Sequence, residues 1–160
     1  MESYRRFGQD GLSVNYRLDG IPVAFGAEST YDPTGIPMIK NAILKDISDV
    51  DQLDLENLRF ENDKNAQIAF DAVRIIQDEL NDEIFTGVGF MGPFTTAANL
   101  AGTTTVLKAM RKDPEGLHKL LDFAADATIE VGRKFVENQI GIGLAEPTAS
   151  LVSPKQFQEF

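Results

Sequence analysis

Ile84-Phe85-Thr86-Gly87-Val88-Gly89-Phe90, followed by Met91-Gly92-Pro93-Phe94-Thr95-Thr96, is the stretch whose reading decides the fold. Its first seven residues are apolar and do not alternate, the pattern of a strand buried on both faces. Gly92-Pro93 then breaks the chain, and Thr95-Thr96 are expected to cap a helix beginning near Ala97. A buried strand that runs through such a loop into a helix is half of a parallel βαβ unit. The loop at the C-terminal end of the strand is where α/β proteins bind ligands. The same spacing also fits an ordinary strand–loop–helix junction, so the rest of the chain has to decide between them.

Working outward, Lys64 to Leu80 has helical periodicity, with Ile68, Ala72, Ile75 and Ile76 on one apolar stripe. Ala97 to Arg111 reads as a second helix with a soft spot at Gly102-Thr103-Thr104. Asp113-Pro114-Glu115 is a strong start signal: an Asp cap, proline at the first helical position and an acid at the positive end of the dipole. The helix it opens is expected to run to about Asn138 and to bury Leu117, Leu120, Leu121, Ala124, Val131 and Phe135. Ile140 to Ala145 reads as another short buried strand, ended by Glu146-Pro147, and Ser153-Pro154 opens a last helix.

Toward the N-terminus, Leu12 to Leu18 alternates apolar and polar residues as a strand does. Residues 27–63 read as an irregular insertion: Asp32-Pro33-Thr34-Gly35 is a turn and Ile36-Pro37 discourages helix. The acidic stretch from Asp46 to Glu61, with leucines at 53, 55 and 58, reads as short turns whose charge serves solubility. Strands alternating with long helices imply a parallel α/β sheet. A complete (β/α)8 TIM barrel takes about 250 residues, so residues 1–160 are expected to form a single partial barrel domain.

The composition narrows the function. With no cysteine there is no disulfide, thiolate metal site or cysteine nucleophile in these 160 residues. A net charge of −10 argues against nucleic acid or an anionic membrane as partner. No apolar run reaches the roughly 20 residues of a membrane span, and the N-terminal residues lead into no signal-peptide core, so a cytoplasmic location is expected. No Walker motif or GxSxG elbow is present, and no GxGxxG follows a strand: Gly87-Val88-Gly89 lies inside the expected strand and is no phosphate loop.

Three strand ends gather the candidates for chemistry. Asn15, Arg17 and Asp19 follow the first strand; Gly92, Pro93, Thr95 and Asn99 follow the second; Glu146 and Thr148 follow the third. In a parallel barrel all of them lie around one mouth. Arg17 suits a carboxylate or phosphate, which its fork holds bidentately. Glu146 suits the orientation of a substrate group or the role of a base. The alternative is that Arg17 and Glu146 simply pair with each other. His118, the single histidine, sits beside the leucine stripe of a helix and reads as a surface or packing residue. It cannot supply a zinc set alone.

Gly92-Pro93-Phe94-Thr95, the run from Met110 to Leu121 (MRKDPEGLHKLL) and Leu151-Val152-Ser153-Pro154-Lys155-Gln156-Phe157 resemble the uroporphyrinogen decarboxylase superfamily, which also contains the cobalamin-dependent methyltransferases. Ile21 to Glu28 is similar to the segment that follows the family's catalytic strand. The resemblance implies a TIM barrel about twice this length with its active site at the C-terminal strand ends. Decarboxylases carry a catalytic aspartate upstream of that segment, and the matching position here is Arg17; only a gap in a short strand would bring in Asp19. The family's pocket tyrosine falls at Asn99 and its substrate-contacting serine at Pro147. These departures turn the expectation from porphyrinogen toward methyl transfer. The resemblance then implies methylcobalamin on a separate corrinoid protein as donor, and a thiol or tetrahydrofolate as small-molecule acceptor. Zinc would enter only through ligands outside these residues. Asn15, Arg17, Asp19, Gly92, Pro93, Thr95 and Asn99 are then the expected acceptor-binding residues and Glu146 the catalytic one. A barrel fragment with open sheet edges is also expected to self-associate and to show little activity alone.

Overall fold

The computed structural model describes residues 2–30, 35–80 and 84–160. Three strands, β1 (Gly11–Asn15), β4 (Phe85–Met91) and β5 (Gly141–Ala145), form a parallel sheet in the order β1-β4-β5. Gly11 is paired with Phe85, Asn15 with Gly89, Gly87 with Gly141 and Met91 with Ala145. All three C-terminal ends therefore stand on the same edge, as parallel βαβ units require.

Helix α1 (Glu2–Phe7) precedes β1 and buries no residue. Between β1 and β4 lie α2 (Gly20–Ala24), a two-stranded antiparallel ribbon of β2 (Ser29–Thr30) and β3 (Met38–Ile39), three short 3-10 turns and α3 (Lys64–Leu80). The segment expected to be irregular thus holds a ribbon. The turn read at Asp32 to Thr34 lies outside the described residues. Strand β1 is shorter than the stretch from Leu12 to Leu18 because the chain leaves the ladder after Asn15 and turns into α2.

Helix α3 has the expected bounds but buries a different face. Ala66, Ala69, Val73 and Leu80 point inward, while Ile68 and Ile75 remain 64% and 55% exposed. Alanines let the helix axis approach β1 and β4 closely, and the bulkier isoleucine stripe would hold it away.

Between β4 and β5 run α4 (Pro93–Ala101), α5 (Thr103–Lys112) and α6 (Pro114–Glu137). Gly102, at φ +86°, separates α4 from α5 in a conformation that favours glycine. The carbonyl of Leu100 accepts the backbone N–H of Leu44 at 3.0 Å, which compensates for the broken ladder. Helix α6 begins as expected: the Asp113 carboxylate accepts the Gly116 N–H at 3.0 Å and Pro114 occupies the first turn. All six of its expected core residues are buried.

Two apolar clusters result. One fills the space between the sheet, α3 and α6 and centres on Phe135, whose ring meets Tyr16, Phe60, Phe70 and Phe90 at centroid distances of 4.8–6.1 Å. The other joins α4, α5 and α6 through Leu100, Val106, Leu117 and Leu120, with Leu44, Ile47 and Val50 laid over them. Strand β5 is an edge of this sheet, so Ile142 and Leu144 are 42% and 53% exposed instead of buried as the sequence suggested. The last helix, α7 (Pro154–Glu159), carries the expected Ser153 cap, whose hydroxyl accepts the Gln156 N–H. Among the described residues, no helix is long and apolar enough to cross a membrane.

Candidate active site at the strand ends

The site is built at the edge where β1, β4 and β5 end. The expected Thr95-Thr96 cap is not what starts α4. The helix begins at Pro93, with Gly92 in the cap position and no side chain of its own to cap with. The missing cap comes from the next βα unit. Glu146, one residue past β5, accepts the Phe94 N–H at 2.9 Å through Oε1 and the Thr95 N–H at 2.8 Å through Oε2. The Thr95 hydroxyl donates to Oε2 at 2.7 Å and itself accepts the Thr148 N–H at 3.3 Å. A carboxylate on the first N–H groups of a helix faces the positive end of its dipole.

Gly92 is what makes room for this carboxylate. Its backbone (φ −78°, ψ −178°) is open to any residue, but a Cβ there would land on the Glu146 carboxylate, 2.7 Å from Cδ. Gly92→Ala is therefore expected to evict Glu146 and to lower stability by about 3 kcal/mol, the scale of two charge-assisted hydrogen bonds. Urea denaturation measures it; a change under about 1 kcal/mol would mean that the carboxylate moves aside without cost.

At the end of β1 the alternation of side chains separates two networks. Tyr16 points to the helix layer, fully buried, and its hydroxyl donates to Asp63 Oδ2 at 2.7 Å. Asp63 Oδ1 accepts the Asn65 N–H at the start of α3. Burial, then the bond and the charge of Asp63, push the Tyr16 phenol well above its ordinary value. Arg17 grips Asp19 with both prongs of its fork, Nε to Oδ1 at 2.8 Å and Nη2 to Oδ2 at 2.7 Å. Nη2 also donates to Ser29 Oγ of β2 at 2.9 Å. Asp19 is 1% exposed. Burial works to raise its carboxyl, but hydrogen bonds from Arg17 and Ser29 and the guanidinium charge outweigh it and hold the group below the usual carboxylate range.

The alternative pair of Arg17 with Glu146 does not form: Arg17 is held by Asp19 in its own loop, and Glu146 by the first turn of α4. Asn15 lies across Gly89, its Oδ1 3.1 Å from where a Cβ would stand. Asn99, at the far end of α4, donates from Nδ2 to the Leu18 carbonyl at 3.3 Å and so links the second strand end to the first. Thr95 has its N–H and hydroxyl committed to Glu146, and Gly92 leaves the space the carboxylate fills. Pro93 and Glu146 also border a cleft of about 340 Å3 on the helix side, between α4, α6 and the C-terminal segment. His118 lines that cleft, stacked on Phe160 at 4.8 Å, far in sequence and fold from Arg17. Sequence reasoning missed Ser29 and Asp63. A serine in a loop carries no signal of its own, and the Asp63-x-Asn65 cap was hidden in an acidic run.

The family model described as uroporphyrinogen decarboxylase (URO-D) matches residues 1–160. The chain belongs to the uroporphyrinogen decarboxylase family. It is similar to the methylcobamide:CoM methyltransferase MtaA of Methanosarcina barkeri, with 29% identity over 93 residues, 56% of this chain and 27% of that protein. It is equally similar, at 29% over 140 residues, to a uroporphyrinogen decarboxylase of Thermodesulfovibrio yellowstonii, covering 80% of this chain and 36% of that one. A solved methyltransferase from Methanosarcina mazei superposes with a TM-score of 0.79 at 22% identity, over 99% of this chain and 47% of its own. The chain thus spans about a third of the curated relatives and about half of the solved structure. Its parallel sheet and helices are a portion of the (β/α)8 TIM barrel of this family, with the residues above at the C-terminal strand ends where such barrels work.

A zinc site does not fit these residues. Zinc sites draw on cysteine, histidine and carboxylate ligands, but the chain has no cysteine, and its one histidine is stacked on Phe160 in the helix-side cleft, with no second histidine to join it. Among the described residues no group of three potential ligands is placed to hold a metal.

Proposed function

We propose that this chain is the acceptor-binding part of a corrinoid-dependent methyltransferase, one that moves a methyl group from methylcobalamin on a separate corrinoid protein to a thiol or to tetrahydrofolate. The observation that carries the reading is the state of Asp19. It is buried and ionised, and both of its oxygens are taken by Arg17, so the β1 end offers the mouth no free carboxylate, only the open edge of a guanidinium. A porphyrinogen, with four pyrrole N–H groups, needs an acceptor there and would meet a guanidinium. An anionic or carbonyl-bearing acceptor suits that charge.

When bound, methylcobalamin would supply the methyl group as a cation equivalent, the Co–C electron pair staying on the corrinoid and the acceptor's proton passing to solvent. In this chain Arg17 binds the acceptor through the edge of its fork that Asp19 and Ser29 leave open. Asn15 and Asn99 orient it from the two neighbouring strand ends, and Gly92, Pro93 and Thr95 form the loop against which it rests. The contribution is placement, which is worth several kcal/mol when the acceptor is held in line with the donor.

The test follows methylcobalamin absorbance with this protein and either an alkanethiol or tetrahydrofolate. Acceptor-dependent loss of the methylcobalamin spectrum supports the reading. No demethylation with either acceptor, together with carbon dioxide release from a porphyrinogen, overturns it in favour of a decarboxylase-like enzyme. That second reading draws on the longer aligned stretch with the Thermodesulfovibrio decarboxylase.

A further inference from the structure

We propose that Glu146 is a positioning residue, one that sets the geometry of the barrel mouth through α4 without touching the acceptor. The inference rests on the reading of Arg17 and Asn99 as acceptor-binding groups. Residue type and place make Glu146 look like a base, but its oxygens are occupied. Oε1 takes the Phe94 N–H, and Oε2 takes both the N–H and the hydroxyl of Thr95. The hydroxyl completes a circuit by accepting the Thr148 N–H, so the loop after β5 and the first turn of α4 are joined through one side chain.

The circuit continues across the site. Helix α4 is one unbroken segment of nine residues. Glu146 holds its first turn, and near its last turn Asn99 donates to the Leu18 carbonyl, between Arg17 and Asp19 in the chain. Backbone bonds tie the same strand ends in parallel: the Gly92 N–H donates to the Ala145 carbonyl at 3.0 Å, and the Tyr16 N–H donates to the Gly89 carbonyl at 2.8 Å. A shift of α4 at its Glu146 end therefore moves the Asn99 end and, through Leu18, the loop that carries the Arg17–Asp19 pair. The bare Gly92 backbone shows that the carboxylate has a built seat. Only a carboxylate fills that seat, since two N–H groups and a hydroxyl all need an acceptor and a glutamine would turn an NH2 toward one of them.

The experiment compares the 15N-labelled protein with its Glu146→Gln variant by NMR and amide exchange. Glu146→Gln is expected to speed exchange at Phe94 and Thr95 by roughly 10-fold or more, while α6 amides keep their protection. It is also expected to shift the Asn99 side-chain NH2 and the Arg17 Nε–H resonances. Loss of protection confined to Phe94 and Thr95, with the Asn99 and Arg17 resonances unmoved, would reduce Glu146 to a helix cap and overturn the proposal. If Glu146→Gln fails to fold, Thr95→Val removes only the two hydroxyl bonds of the circuit, to Glu146 and from Thr148, and gives the same contrast at smaller amplitude. None of these readouts uses a methyl donor or acceptor, so a failure of methyl transfer and a failure of this inference are told apart.

Discussion

Phe135→Ala is expected to cost about 4 kcal/mol of unfolding free energy. Phe135 has no exposed surface, and its ring is the hub of four aromatic contacts. It meets Phe60 edge-on at 5.4 Å and 84°, and Phe70 at 4.8 Å and 33°; Tyr16 and Phe90 lie at 6.0 and 6.1 Å. These partners come from the end of β1, the turn before α3, α3 itself and β4. Removing the ring therefore opens a cavity that no single element can close by relaxing. Each aromatic pair adds about 0.5–1.5 kcal/mol beyond its buried area. Urea denaturation measures the loss, with Phe157→Ala as control. That ring is 60% exposed, and its removal is expected to stay within about 0.5 kcal/mol. A Phe135→Ala loss under about 1.5 kcal/mol would mean that the aromatic cluster is loosely packed.

Arg17→Ala carries the second large effect, and its pH dependence identifies the cause. In the native protein Asp19 is held below its ordinary value. Its pairing thus adds stability that is fully present above the unfolded value, near pH 4, and is lost as pH falls through the folded value. Without Arg17 the same buried carboxyl has no cation beside it, and burial drives it upward. The variant is therefore expected to lose about 3–5 kcal/mol at pH 7, the cost of an uncompensated buried charge. The deficit should shrink on acidification, as the carboxyl takes up a proton in the folded variant and the pairing term fades in the parent. Chemical denaturation at pH 7 and at about pH 4 reads both points; a deficit independent of pH would mean that Arg17 acts by packing alone. Arg17→Ala, Asp19→Asn restores most of the stability but leaves the mouth without its cation. On the proposed function, that double variant folds and does not bind the acceptor.

Much of the fold was legible because it rests on local signals. Asp113-Pro114-Glu115 marks the start of α6, and Leu117, Leu120 and Leu121 mark its buried stripe. Those signals depend on capping chemistry and a 3.6-residue period, which need no partner. The apolar run before Gly92 named β4 for a similar reason. The face of α3 was not legible, since two stripes compete on that helix. Their choice depends on how closely the axis must approach β1 and β4, which the helix's own sequence does not contain. The exposure of β5 was equally hidden, because a strand's burial depends on its neighbours in the sheet.

The candidate site divides in the same way. By itself the sequence determined which residues stand near the strand ends, since the Gly92-Pro93 and Glu146-Pro147 breaks mark where β4 and β5 stop. Only the tertiary structure decided their partners: Arg17 closes on Asp19 and Ser29, not on Glu146, and Glu146 serves α4 from another βα unit. The physical reason is distance along the chain. Capping and periodicity act within a few residues, whereas the Glu146 bond to Phe94 joins residues 52 apart in sequence and exists only once β4 and β5 are paired.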